Sequence, residues 1–266
     1  MLLSSMFREA VPKGFVSLNP CREGRVTTPK VIDKEGYYCT PEQVQRLVKA
    51  LEREPIVFRA MVLLYLNTGM RKSELHGLRW DDFNAESGML RIERQLQYID
   101  RQGLTLRDTK TERSIRSIKL PPSLCALLNK WREEQANWKA AAGTDWATGY
   151  GRENPNVTGA TLNTPWMFTD EYGNPRHPGS FQKRFKAFLK RAGFTEEEVK
   201  QIHVHTLRHT NASILIASNV NLTTVSNRLG DAAQTIQRVY AHALKRADEE
   251  AAEVLDVALT AAASVS

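Results

Sequence analysis

One change of hydrophobic period limits what this chain can fold into. Across most of its 266 residues, apolar side chains recur three and four apart. In residues 88–121 they alternate instead (Leu90/Ile92, Ile118/Leu120) and are broken by turn residues. The first pattern is that of helices and the second that of strands. The expected fold is therefore α+β and mostly helical, with two or three short antiparallel strands forming a small sheet packed on helices. The main domain opens at "YYCTPEQVQRLVKALE". Thr40, Pro41 and Gln43 read as an N-cap, a proline at the first helical position and a capping-box partner. Val44, Leu47, Val48 and Leu51 then line one face. Further helices are expected at about 55–67, from Arg71, across "SLCALLNKWREEQANWKAAA" (Leu124, Leu127, Leu128 and Trp131 on one side) and around Phe181, Phe185, Phe188 and Leu189. The last ones fall at about 205–218, 222–229, 232–244 and 246–263. Residues 1–15 read as a short apolar helix ended by "PKG", followed by a polar, basic linker. A helix of that length cannot bury itself and is expected to belong to a further domain. Residues 143–165, rich in Gly, Thr and Asn, read as an exposed loop.

Charge narrows the partners. Lys and Arg number 37 against 30 Asp and Glu, a net charge of +7, and such an excess attracts polyanions. Three scattered cysteines, Cys21, Cys39 and Cys125, argue against a disulfide framework and fit a reducing cytoplasm. No run approaches the roughly 18 apolar residues that span a bilayer, so no membrane partner is expected.

Three of the six histidines sit in "HVHTLRHTNAS", His203 to Ser213. His205 and His209, four apart, share a helix face as zinc ligands can. However, no Cys or Glu completes a ligand set, and Arg208 beside a dication is electrostatically awkward. No metal site is expected. An anion clamp fits better, because similar features recur. In "NTGMRKSEL", Arg71 follows a glycine at a helix start, where backbone N–H groups and a guanidinium face the same way. "DTKTERS" places Lys110 at an expected hairpin tip, and "RVYAHAL" places Tyr240 on a late helix. Each residue has a plainer reading: Arg71 paired with Glu74, Lys110 a solvated turn residue, Tyr240 one of seven ordinary tyrosines.

Taken in order, "TGMRKSELHGLRW", "TK", "HTLRHTNAS", "LG" and "YAH" resemble the tyrosine recombinase (phage integrase) family, most nearly the integrases of phages and conjugative transposons. The resemblance implies that family's catalytic fold over residues 37–244. It also implies the last helix of a core-binding domain in 1–20 (with "NPC"), an interdomain linker in 21–36, and a helical tail in 245–266 that can be exchanged between protomers. Its implied activity is site-specific DNA cleavage and rejoining through a 3′-phosphotyrosine, supporting integration or excision of a mobile element without metal, nucleotide or other cofactor. Carried onto this chain, Tyr240 is the nucleophile and Arg71 and Arg208 clamp the phosphate. His205 accepts a proton, and Lys110 protonates the leaving 5′ oxygen. Implied partners are double-stranded DNA, a homo-tetramer assembled on it, and accessory DNA-bending or directionality proteins.

The chain departs from the family after "LG". Many members carry there a histidine or tryptophan that donates to the phosphate; here the position is Asp231, which accepts and cannot donate when ionised. Asp231 with Gln234 reads as a capping box for the helix bearing Tyr240. His242 is a candidate substitute donor, His209 a packing or supporting histidine, and His203 a surface or structural residue. A type IB topoisomerase-like activity, or a catalytically weak DNA-binding regulator, remain as alternatives.

Overall fold

The computed structural model describes residues 2–21, 36–100, 102–108, 114–148 and 164–240. The chain divides into two units, Met1–Lys34 and Glu35–Ser266. The first holds helix α1 (Leu2–Ala10), which buries none of its residues. Its C-terminal loop is tied back by Asn19 Nδ2, which donates to the Ser4 carbonyl at 2.8 Å.

The second unit begins with α2 (Pro41–Leu51), capped as its sequence predicts: Thr40 Oγ1 accepts from the Gln43 N–H, and Gln43 Oε1 accepts from the Thr40 N–H. Helix α3 (Ile56–Thr68) is apolar nearly all round, and Val57, Phe58, Met61, Leu64 and Tyr65 are all buried. A helix of this kind has to be enclosed by others. Accordingly α5 (Pro122–Ala142) and α8 (Val204–Ala217) pack against it. Burying one such leucine stabilises the fold by roughly 1.5–3 kcal/mol. On α5 the buried residues are Leu124, Leu128, Trp131 and Gln135, a stripe at helical spacing. Helix α6 (Pro178–Arg191) contributes Phe181, Phe185, Phe188 and Leu189 to the same core. The remaining helices are α4 (Lys72–His76), α7 (Glu196–Gln201), α9 (Leu222–Leu229) and α10 (Ala233–Val239).

Five strands form among the described residues, more than the two or three that alternation predicts, and they divide into two sheets. β1 (Phe83–Asn84), β2 (Met89–Ile92) and β5 (Arg116–Lys119) make an antiparallel sheet in the order β1-β2-β5. β3 (Arg94–Ile99) and β4 (Gly103–Asp108) make a separate hairpin. Leu96 and Leu104 of that hairpin pack with Trp166 in a small cluster of their own. The hairpin closes by pairing Ile99 with Gly103. Lys110, expected at a hairpin tip, lies outside the described residues. In β5 the alternation puts Arg116 on the buried face with Ile118, a charge directed inward that demands a partner. Among the described residues no helix is long and apolar enough to cross a membrane.

Candidate active site

Helix α8 carries most of the histidine-rich stretch, and its polar residues fasten it to the core. Asn211 Nδ2 donates to the carbonyls of Leu66 (2.8 Å) and Asn67 (3.0 Å), so it caps the end of α3. Thr210 Oγ1 accepts the Cys39 N–H at 2.9 Å, which ties the entering strap Gly36–Cys39 to the helix. His203 stands outside as the N-cap residue, exposed, with Nδ1 2.6 Å from Thr206 Oγ1.

Arg208 is only 3% exposed, and a guanidinium that deep needs acceptors. Its Nη1 donates to the Gly69 carbonyl at 2.6 Å, and its Nη2 to Asp231 Oδ2. Arg71, the residue before α4, directs Nη2 to Asp231 Oδ1 at 2.7 Å and, at 3.4 Å, to the Gly230 carbonyl. Gly69 and Gly230 end α3 and α9 in the left-handed conformation, φ +60° and +67°. Each helix terminus thus turns one carbonyl towards one of the two arginines.

Glu74 holds this arrangement from below. Its carboxylate accepts the Arg71 N–H at 2.7 Å, Arg71 Nη1 at 3.0 Å and Arg116 Nη2 at 2.8 Å. Burial works against its charge. The hydrogen bonds and charge of Arg116, with the Arg71 N–H and guanidinium, outweigh burial and hold the carboxyl below its usual range. Arg116 also donates from Nε to the Arg228 carbonyl at 2.7 Å, joining β5 to the end of α9. Glu74 appears in the sequence only as a plain partner for Arg71, and Arg116 is not singled out. Continuing the Ile118/Leu120 alternation back two residues places Arg116 inside, and a buried arginine calls for a carboxylate.

Asp231 does not cap the next helix. The N-cap of α10 is Ala232, without a side-chain cap bond. Both oxygens of Asp231 go to the two arginines instead, because two guanidiniums outbid a single peptide N–H. The carboxylate lies where an oxyanion ligand of these arginines would lie.

Tyr240 closes α10 as its C-terminal cap residue. Its side chain is buried, 4% exposed, in a small cluster with Ala212, Ile216, Leu229 and Ile236. Its hydroxyl lies 2.9 Å from Nδ1 of His209. Burial pushes the phenol up to about 12, with Arg208 drawing it down and Asp231 adding to the rise. The His205 ring meets the His209 ring edge-on, centroids 4.8 Å apart. Desolvation, then the charges of His209, Arg208 and His203, lower His205 to about 4, against an opposing pull from Asp231. Five of the sequence-predicted residues (Arg71, His205, Arg208, Asp231 and Tyr240) thus come together, and His209 joins them in contact with the phenol. Lys110 and His242 lie outside the described residues. Among the described residues no three ligand-type side chains stand close enough to hold a metal ion. Chemically the site offers two converging guanidiniums for one oxyanion, beside a protonated phenol with an imidazole against its hydroxyl.

Comparison with known proteins gives a consistent picture. The sequence profile of the phage integrase family matches residues 38–247. A tyrosine recombinase XerC-like protein of Caldanaerobacter subterraneus subsp. tengcongensis is 30% identical over 267 residues, covering 96% of this chain and 63% of that protein. The ICEBs1 integrase of Bacillus subtilis is 23% identical, again over 96% of this chain and 63% of its own length. The chain thus spans under two thirds of these relatives. Among solved structures, the Tn1549 transposon integrase in complex with transposon right end DNA superposes with a TM-score of 0.70 at 18% identity, covering 95% of this chain and 76% of that one. The XerH site-specific recombinase bound to palindromic difH substrate gives 0.58 at 20% identity, covering 86% and 56%. The arrangement of helices and strands is the one these proteins share.

Proposed function

Because the chain belongs to the phage integrase family, and because Arg71 and Arg208 converge on one oxyanion, we propose that it is a site-specific recombinase. It cleaves and rejoins DNA strands through a 3′-phosphotyrosine and so integrates or excises a mobile element. The convergence of the two guanidiniums is the observation that carries this reading. A phosphodiester gains charge in its pentavalent transition state, and two planar donors on the non-bridging oxygens stabilise that charge. Removing either arginine is expected to slow cleavage by about a hundred- to a thousand-fold.

In this reading Tyr240 Oη attacks phosphorus and its proton passes to the adjacent imidazoles. The P–O5′ bond breaks, and the leaving oxygen takes a proton from Lys110. The phosphotyrosine conserves the energy of the bond that was broken, so a 5′-hydroxyl from a second strand can reverse the step. The +7 charge of the chain favours association with the DNA backbone. The Asp231 carboxylate has to leave the arginines when the phosphate arrives, since two anions cannot share them. The active assembly is a tetramer on DNA in which the 245–266 tail links neighbouring protomers. Truncation after Lys245 is expected to weaken assembly, and unchanged tetramer formation would count against the tail's role.

The test is product analysis on supercoiled plasmids that carry the two ends of the DNA element encoding the chain. Recombinant junctions support the proposal. Relaxed circles without junctions would indicate topoisomerase-like cleavage, and unaltered plasmid bound by protein would indicate a DNA-binding regulator.

A further inference from the structure

We propose that His209 is the catalytic base that takes the phenol proton of Tyr240, while His205 stays neutral and donates a hydrogen bond to the phosphate; this rests on the transesterification reading above. The family resemblance points to His205 as proton acceptor, yet it is His209 that touches the nucleophile, Nδ1 to Oη at 2.9 Å. A base has to stand within hydrogen-bond reach of the proton it removes.

The two rings occupy different surroundings. His209 is half-buried, between Tyr240 on one side and the strap on the other. A Cβ placed on Gly36 would lie 3.2 Å from the ring's Cε1 and Nε2. The strap is pinned to the same helix through the Cys39–Thr210 bond, so the ring has little room to turn. His205 opens to solvent, on the side from which a phosphate can reach it. With the rings in edge contact at 4.8 Å, a proton on His209 discourages one on His205, whose affinity for a proton is lowered by desolvation first and by His209 next. One imidazole therefore accepts while its neighbour remains a neutral donor. Among the described residues, the charged and titratable groups on the packed elements are His203, His205 and Arg208 on α8 and its N-cap, Asp231 between α9 and α10, Tyr240, and Tyr37, Tyr38 and Cys39 on the strap.

The step balances. The Tyr240 O–H bond breaks as Oη forms its bond to phosphorus, and the proton moves to the Nδ1 lone pair of the Nε2–H tautomer. The P–O5′ pair leaves with the 5′ oxygen, which Lys110 protonates. Reversal returns both protons.

The experiment is a pH profile of covalent adduct formation by the full chain, on nicked duplexes tiled across the ends of the DNA element encoding it. His209→Gln keeps a hydrogen-bonding side chain without basicity, and His209→Ala keeps neither. Both are expected to react about a hundred-fold more slowly near pH 7, and to recover about ten-fold per pH unit as hydroxide takes over the proton. His205→Gln, still a donor, is expected to retain the pH dependence of the unsubstituted protein. A His209→Gln variant with an unchanged rate, or with the same loss at every pH, would overturn the assignment, as would transfer of the altered pH profile to His205→Gln. Absence of any adduct from the unsubstituted chain would instead overturn the transesterification reading, and the assignment with it.

Discussion

Asp231 and Arg208 form an ion pair that Arg71 shares from the other side, so one carboxylate joins both arginines. In a site that reads as a phosphate clamp, the chain's own carboxylate lies where the ligand's oxygens would. The pairing offsets the repulsion between two converging cations, and in the proposed reaction it sets an anion in competition with the DNA phosphate.

Replacing Asp231 by histidine, a donor at the same place, is therefore expected to strengthen binding of a nicked duplex and to speed cleavage. A gain of about ten-fold corresponds to about 1.4 kcal/mol. No helix cap is lost, since Asp231 does not cap α10. Slower adduct formation by Asp231→His would contradict the competition.

The buried pair beneath the site lends itself to a double-mutant cycle. Glu74 and Arg116 are 1% and 6% exposed in their side chains. Glu74→Gln leaves Arg116 buried without its counter-charge, and is expected to cost about 3–5 kcal/mol in urea unfolding. The double variant Glu74→Leu with Arg116→Met removes both charges and is expected to cost less than Glu74→Gln alone. A double loss equal to or larger than the single loss would contradict this.

Gly69 is constrained twice. Its φ of +60° suits glycine, and an added Cβ would fall 2.4 Å from Leu229 Cδ2 and 2.9 Å from Asn211 Oδ1. Left-handed strain and overpacking together are expected to cost about 2–4 kcal/mol in Gly69→Ala. Cleavage is expected to fall as well, because the Gly69 carbonyl holds Arg208. An unchanged unfolding midpoint would refute the close approach.

His76 is buried in the core, its ring edge-on to Phe181 at 5.7 Å. Burial first, then the charge of Lys72, lower it from 6.5 to about 3. Below pH 6.5 the unfolded chain takes up a proton that the folded chain refuses. The contribution is complete above that pH and is lost as pH falls towards 3, by about 1.4 kcal/mol per unit. His76→Leu is expected to flatten the acid side of the stability profile by about one proton. Urea midpoints that fall with pH as steeply as in the unsubstituted chain would show that His76 is not the group responsible.

Much of this organisation is legible in the sequence. The Thr40–Gln43 capping box, the apolar stripe of α5 and the phenylalanines of α6 follow from local spacing, because caps and helix faces are decided within a turn or two. Arg71, Arg208 and Tyr240 stand out through family motifs, and spacing alone leaves each with a plainer reading. What sequence misses is decided by long-range packing. The 88–121 stretch alternates between its turn residues, yet it divides into two sheets, and Trp166, far along the chain, completes a small core under the hairpin. Asp231 has the local signature of a capping box and is diverted by arginines 160 and 23 residues away in sequence. His209 reads as a packing residue until the end of α10 returns Tyr240 to it.

In the proposed reaction Tyr240 is the nucleophile towards DNA. The most direct measurement is a denaturing gel of the full chain mixed with nicked duplexes tiled across the ends of its DNA element. A covalent protein–DNA band is expected for the unsubstituted chain and none for Tyr240→Phe. A band that persists in Tyr240→Phe, or its absence from the unsubstituted chain on every duplex, would contradict it.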